Sequence, residues 1–186
     1  MAHMLQACLV TNTGELAQIL SLQEQNLPGI ISKDEMQSQG FVTLRHDLQT
    51  LQQMHVLSPS IIVKNEDDIV AYALTMLVEC RLLVPDLEPM FDLLDGLRWN
   101  SQQLSTLPFY VMGQICVSKA YRSQGLVQML YQHHKKIYQP RFDLLVTEIS
   151  IHNPRSLRAH EKIGFKTIHT YRDRLDEWAV VAWDWN

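Results

Sequence analysis

The segment from Asn153 to Phe165 leaves its own fold little choice. It opens with Asn153, whose side chain suits a helix cap, and places Pro154 at the first helical position, where no amide hydrogen is required. It stops at Gly164, a residue free to take the left-handed turn that ends helices. A helix over Pro154 to Ile163 is therefore bounded at both ends, and strand-like runs flank it, Leu144 to Ile151 and Phe165 to Tyr171. At about 100° per residue, Asn153, Ser156 and His160 share one stripe near Leu157 and Ile163, while Arg155, Arg158 and Lys162 take the opposite side. The polar stripe lies in the arc expected to face the body of the protein, where unpaired polar groups cost free energy. Two readings stay open: the stripe meets a bound polar ligand, or it is a cap, a serine bonded to its own helix and a core histidine.

The remaining pattern is mixed. Thr11-Asn12-Thr13 offers caps for a helix carrying Leu16, Ile19 and Leu20, which ends before Pro28-Gly29. Ser32 and Glu35 have capping-box spacing for a second short helix closed by Gly40, and His46 to Met54 continues the helical pattern. Ile61 to Lys64 and Ile69 to Val78 read as a hairpin around Asn65 to Asp68. Residues 81 to 109 change composition, with Pro85, Pro89, Pro108 and a short helix around Met90 to Leu97, and form an insertion that is either a substrate-side flap or a packed excursion. A strand from Tyr110 to Val117, a helix from Gln124 to Tyr138 and a closing strand from Trp178 to Trp185 complete one α/β domain spanning residues 1 to 186.

Composition narrows the function classes. With 186 residues, 46% of them hydrophobic, the chain is long enough to bury a sizeable single core. A formal net charge of -4 supplies no basic surface for a nucleic acid. No apolar run approaches the roughly 20 residues that span a bilayer, so no membrane partner is expected. Met1 to His3 read as an expression-tag remnant, and no basic region with an apolar run follows, so no signal peptide is expected. Cys8, Cys80 and Cys116 are odd in number and lack metal-ligand spacing, which predicts packing residues, no metal site and a reducing, cytoplasmic setting. Trp178, Trp183 and Trp185 pack within a monomer or across a homodimer, and packing within the domain is the default.

A second constellation precedes the first. The strand Gln114-Ile115-Cys116-Val117 runs through Ser118 to Tyr121 into Arg122-Ser123-Gln124-Gly125-Leu126-Val127 and then a helix. Free amides and the positive dipole end of a first helical turn make an anion site, and Gly125 lets a phosphate approach the backbone. No Gly-Lys-Ser/Thr follows, and Gly125 is the only glycine of the loop, so neither a Walker loop nor a dinucleotide fingerprint is present. A single glycine at a helix start is also plain turn chemistry. His134 falls on the apolar arc of this helix, where a hydrogen-bonded core histidine is the ordinary reading.

The two constellations, in this order and one strand apart, resemble the GCN5-related N-acetyltransferase superfamily. Arg122 to Val127 is similar to its Arg/Gln-x-x-Gly-x-Gly/Ala pyrophosphate motif, and Asn153, Ser156, Lys162, Gly164 and Phe165 match its Asn-x-x-Ser/Ala-x-x-x-Tyr-x-Lys-x-Gly-Phe motif. The resemblance implies a central mixed, mostly antiparallel sheet with a splayed parallel strand pair, flanked by helices. It implies acetyl-CoA as acyl donor, with its pyrophosphate on the amides from Gln124 to Val127 and Arg122 and Ser123 beside it. The pantetheine would run along Ile115, Cys116 and Val117, with Asn153 and Ser156 on the far side of the cofactor arm. The sequence departs from the family at Val127, usually Gly or Ala, and at His160, where many members place the tyrosine that protonates the departing thiolate.

The chemistry this implies is transfer of an acetyl group from acetyl-CoA directly to an amine. An alkyl-ammonium with pKa near 10 must lose a proton before it attacks a thioester, which calls for a carboxylate base. Glu148, five residues before Asn153, stands where some superfamily members carry a catalytic glutamate, and an outward strand carboxylate paired with a basic neighbour is its ordinary alternative. His160 as an imidazolium would protonate the thiolate. A non-catalytic acyl-CoA-binding or sensing domain is the competing class, separated by whether mutation of Glu148 changes turnover. The amine acceptor itself is not specified by any motif.

Overall fold

The structure is a computed structural model and describes residues 5–174 and 176–186; the expected tag remnant at Met1 to His3 lies outside the described residues. In chain order the elements are β1 (Gln6–Leu9), α1 (Thr13–Glu24), α2 (Lys33–Gln39), α3 (Leu48–Leu57), β2 (Ile61–Asn65) and β3 (Asp68–Met76). Then follow α4 (Glu88–Gly96), a two-residue hairpin β4 (Arg98–Trp99) and β5 (Gln102–Gln103), β6 (Phe109–Val117) and α5 (Leu126–Tyr138). The chain closes with β7 (Leu144–Ser150), α6 (Pro154–Ile163), β8 (Lys166–Arg172) and β9 (Glu177–Asp184). Asn12, Ser32, Asp47 and Asn153 cap α1, α2, α3 and α6, each side chain accepting an amide hydrogen from the first turn. At α2 only the serine half of the expected capping box forms, because the Glu35 carboxylate turns to Lys119 and Arg122 instead.

The sheet has seven strands in the order β1-β2-β3-β6-β7-β9-β8. Every neighbouring pair is antiparallel except β6 and β7, which pair in parallel over only Phe109 to Val111 and Leu144 to Val146. This is the mixed, mostly antiparallel sheet with one parting parallel pair that the sequence resemblance implied. Nothing in the local pattern announces β1, four residues long; it is a strand because Gln6 to Leu9 pair with Ile61 to Lys64.

The parting has a local cause. Between Met112 and Ile115, β6 carries Gly113 and Gln114 opposite the single residue Leu74 of β3, a bulge that bends and twists the strand. Tyr110, before the bulge, meets His134 of α5, whereas Gln114, four residues on, meets Gln23 of α1. An unbulged strand keeps residues four apart on one face, so the extra residue has moved Gln114 to the other side. Past Val111 the outer neighbours hold the strands apart, β3 pairing with β6 as far as Val117 and β9 with β7 as far as Ser150. Thr147 Oγ1 donates to the Met112 carbonyl at 2.8 Å, the last bond bridging them.

Among the described residues the buried hydrophobic side chains form one core, with Tyr72, Tyr110, Tyr131 and Phe91 all fully buried. Segment 81 to 109 belongs to it: Phe91, Leu94 and Leu104 are buried, Arg81 pairs with Asp95 at 2.9 Å, and Trp99 donates to Asp184. The segment enters at the start of β6, the end where β6 and β7 are still paired. Trp183 packs edge-on against Tyr131 and tilted against Phe165, so its ring is used inside the domain. No helix among the described residues is long and apolar enough to cross a membrane.

Candidate functional site

Where β6 and β7 part, a cleft of about 570 Å³ opens between the β6 end, the N-terminus of α5, α6 and residues 39 to 42. The loop that leads into α5 has two residues in left-handed conformation, Ser123 at φ 63° and Gly125 at φ 80°. At Gly125 the requirement is conformational rather than steric, since a Cβ there would meet no atom within 4 Å. Helix α5 starts at Leu126, so the amides of its first turn have no intrahelical acceptor and face the cleft end of the loop.

Of the eleven residues expected to hold a cofactor, ten line this one cleft: Ile115 to Val117, Arg122, Ser123, Gly125 to Val127, Asn153 and Ser156. Gln124 does not; its side chain turns out and donates to the Ala120 carbonyl. Arg122 lines the cleft as a strut rather than a free charge. Its guanidinium donates to Glu35 Oε1 at 3.1 Å and Asn26 Oδ1 at 2.7 Å, and its side chain is 12% exposed. Lys119 meets the other Glu35 oxygen, so α2 is tied across the phosphate-type loop, and these hydrogen bonds hold the Glu35 carboxyl below the usual carboxylate range. Sequence spacing gave Glu35 only its capping role; its reach to residue 122 is purely tertiary.

The cap and the core histidine of the ordinary reading are both present on α6, and the same stripe borders the cleft. Asn153 Oδ1 accepts from the Ser156 amide at 3.1 Å as a helix cap, and Nδ2 donates to the Phe41 carbonyl, while the residue also lines the cleft. His160 is buried yet forms part of the cleft wall. Its Nδ1 lies 2.8 Å from the Ser156 carbonyl, an acceptor only, so the ring proton sits there. Nε2 then accepts from the Tyr131 hydroxyl at 2.6 Å. Burial pushes the imidazole down to about 4, and it is neutral at pH 7. The wheel placed Arg155, Arg158 and Lys162 away from the body; all three in fact border the cleft, because the parting of the strands removes the body on that side.

Glu148 is not brought into the cleft. It stands two residues beyond Val146, the last β7 residue paired with β6, and its Oε2 accepts from the Tyr171 hydroxyl of β8 at 2.5 Å. Burial, reinforced by the Asp173 charge and opposed by the Tyr171 bond, pushes its carboxyl up to about 7. His169 stacks on Tyr171 from the same strand. Among the described residues no basic partner accompanies Glu148, and its bonded partner is the Tyr171 hydroxyl rather than the ion pair of the ordinary alternative. Sequence spacing carried no signal for Tyr171, which reaches Glu148 only because β9 lies between their strands. Elsewhere Tyr72, Gln114, Gln23 and His46 form a buried polar chain, with Gln114 Oε1 accepting from Tyr72 at 2.6 Å and Gln23 at 2.7 Å. The Cys116 thiol is pushed up to about 12 by burial.

The model of the acetyltransferase (GNAT) family matches residues 31–165. No curated protein matches the sequence. Among solved structures the chain is similar to the ribosomal-protein-S18-alanine N-acetyltransferase of Escherichia coli, at 13% identity and TM-score 0.65 over 97% of this chain and 94% of that one. It is similar to Arabidopsis thaliana NAA60 in complex with acetyl-CoA, at 10% identity and TM-score 0.66 over 97% and 99%. The ribosomal-protein-alanine N-acetyltransferase of Brucella melitensis superposes at 13% identity and TM-score 0.61 over 96% and 99%.

Proposed function

Since the chain belongs to the GNAT acetyltransferase family, we propose that it transfers an acetyl group from acetyl-CoA directly to a primary amine. The observation that carries this reading is the parting of β6 and β7 beside the free amides of α5, in a cleft lined by four cations and no carboxylate. An extended, polyanionic molecule fits such a cavity, whose volume lies within the roughly 300 to 1,000 Å³ of small-molecule sites. Acetyl-CoA supplies an activated acyl thioester there. The first-turn amides of α5 receive the pyrophosphate, the unpaired edge of β6 from Ile115 to Val117 runs beside the pantetheine, and Asn153 and Ser156 border it from α6.

Glu148, which stands outside the cleft lining, takes the proton from the incoming ammonium, directly or through one water. A carboxyl held at about 7 is half ionised at neutral pH and is a stronger base than an ordinary glutamate. His160, expected as the acid for the thiolate, directs its only proton at the Ser156 carbonyl. In this reading the thiolate takes its proton from water, and His160 with Tyr131 forms the neutral floor of the site. Direct transfer agrees with the Cys116 thiol, which burial pushes up to about 12 and so keeps a poor nucleophile for a covalent intermediate at neutral pH.

The test has two stages. Calorimetric titration with acetyl-CoA, CoA and ATP comes first, and the expected result is micromolar binding of both CoA species and none of ATP. Thiol release is then followed over a panel of peptide α-amines, amino acids and polyamines, with Glu148→Gln alongside. Turnover of at least one amine, lost by about 10² or more in Glu148→Gln, supports the enzyme. Tight binding with no turnover on any amine supports an acyl-CoA sensor instead.

A further inference from the structure

The α6 wall of the cleft carries charges that acetyl transfer itself does not use, and their assignment rests on acetyl-CoA being the donor. Arg155, Arg158 and Lys162 line the cleft at i, i+3 and i+7, one stripe along the helix. No aspartate or glutamate lines it, in a chain whose net charge is -4. The three cations are in different situations. Arg155 is held by the Ser38 carbonyl at 3.4 Å and by Ser123 Oγ at 3.2 Å, which ties the first turn of α6 to the loop before Gly125. Arg158 and Lys162 are exposed, and neither has an ion pair or hydrogen bond among the described residues. They sit four residues apart, the spacing at which like charges on a helix repel. Glu161 lies beside Lys162 in sequence and outside the cleft lining.

Two unpartnered cations, side by side on an anion-binding cleft, suit a doubly charged group. CoA carries such a group one ribose ring away from its pyrophosphate. With Arg155 anchored at the loop, the rise of about 1.5 Å per residue puts Arg158 and Lys162 roughly 5 and 10 Å further along α6, toward the exposed rim. We propose that Arg158 and Lys162 bind the ribose 3′-phosphate of CoA and make the chain selective for CoA thioesters over their dephospho forms. The arginine fork engages two phosphate oxygens and the lysine ammonium adds a mobile point charge, both screened by salt at this exposed site.

The experiment compares dissociation constants of acetyl-CoA and acetyl-dephospho-CoA, by calorimetry and without any acceptor, for the full chain, for Arg158→Ala/Lys162→Ala and for a control, Lys166→Ala. Lys166 is exposed and outside the cleft, so the control removes a surface charge without touching the site. The full chain and the control are expected to bind acetyl-CoA roughly tenfold more tightly than the dephospho form, a preference that shrinks with added salt. The double variant is expected to lose that preference while its affinity for acetyl-dephospho-CoA stays unchanged. Equal affinity of the full chain for both ligands, or a preference that survives in the double variant, overturns the assignment. Binding of neither ligand overturns the acetyl-CoA reading itself and this assignment with it.

Discussion

Replacing Glu148 by glutamine is expected to stabilise the protein, and more so as pH rises. The folded-state carboxyl is held at about 7 against a reference of 4.5, chiefly because burial disfavours its charge. A carboxyl raised in the folded state contributes stability below pH 4.5 that is lost as pH climbs through 7, since the folded protein must then ionise a group the unfolded chain has already ionised. Between pH 5 and pH 8 linkage makes this loss about 2.5 kcal/mol. Glutamine keeps the shape and its carbonyl oxygen still accepts from the Tyr171 hydroxyl, so the variant escapes the loss. Urea denaturation of both proteins at pH 5 and pH 8 measures it: the stability difference, variant minus parent, should grow by about 2.5 kcal/mol between the two conditions. A difference that stays flat, or that falls with pH, would show a solvated or ion-paired carboxylate and would remove Glu148 as a base poised at neutral pH.

Other named contacts carry consequences of their own. Tyr171→Phe removes the bond that favours the ionised Glu148, so the rising limb of activity against pH should move up by roughly one unit, with turnover at high pH retained. His160→Phe orphans the buried Tyr131 hydroxyl and should cost about 1–3 kcal/mol, yet leave the pH profile of turnover in place; a displaced alkaline limb would restore His160 as the acid. Burial holds His46 and His160 at about 4 and His134 at about 3, so each keeps its neutral form folded and loses stability as pH falls from 6.5 toward those values. At pH 5 each should cost about 2 kcal/mol relative to pH 8, read by urea midpoints in the Glu148→Gln background, where the opposing drift of Glu148 is absent. Arg122→Ala cuts the tie to Asn26 and Glu35, and amide exchange across α2 should rise roughly tenfold while α5 is unchanged.

Local chemistry alone determined much of this protein. Asn153, Pro154 and Gly164 bound α6 without help from the rest of the chain, because caps and stops act over a few residues. Gly125 at φ 80° marks the turn into α5 for the same reason, and the order of the later strands and helices is legible from their periodicity. What the sequence hid depends on contacts between distant residues. β1 exists through its pairing with β2, and the face that Gln114 takes depends on a bulge counted against β3. Glu35 suits a capping box as well as a salt bridge to Arg122, and only the packing of α2 across the loop decides between them. The helical wheel sorted α6 into inner and outer sides, but the cleft borders both, since parted strands leave open space where a wheel assumes a continuous body. Glu148 is a strand carboxylate in sequence; burial, opposed by the Tyr171 hydroxyl two strands away, which no spacing rule contains, holds its carboxyl at about 7.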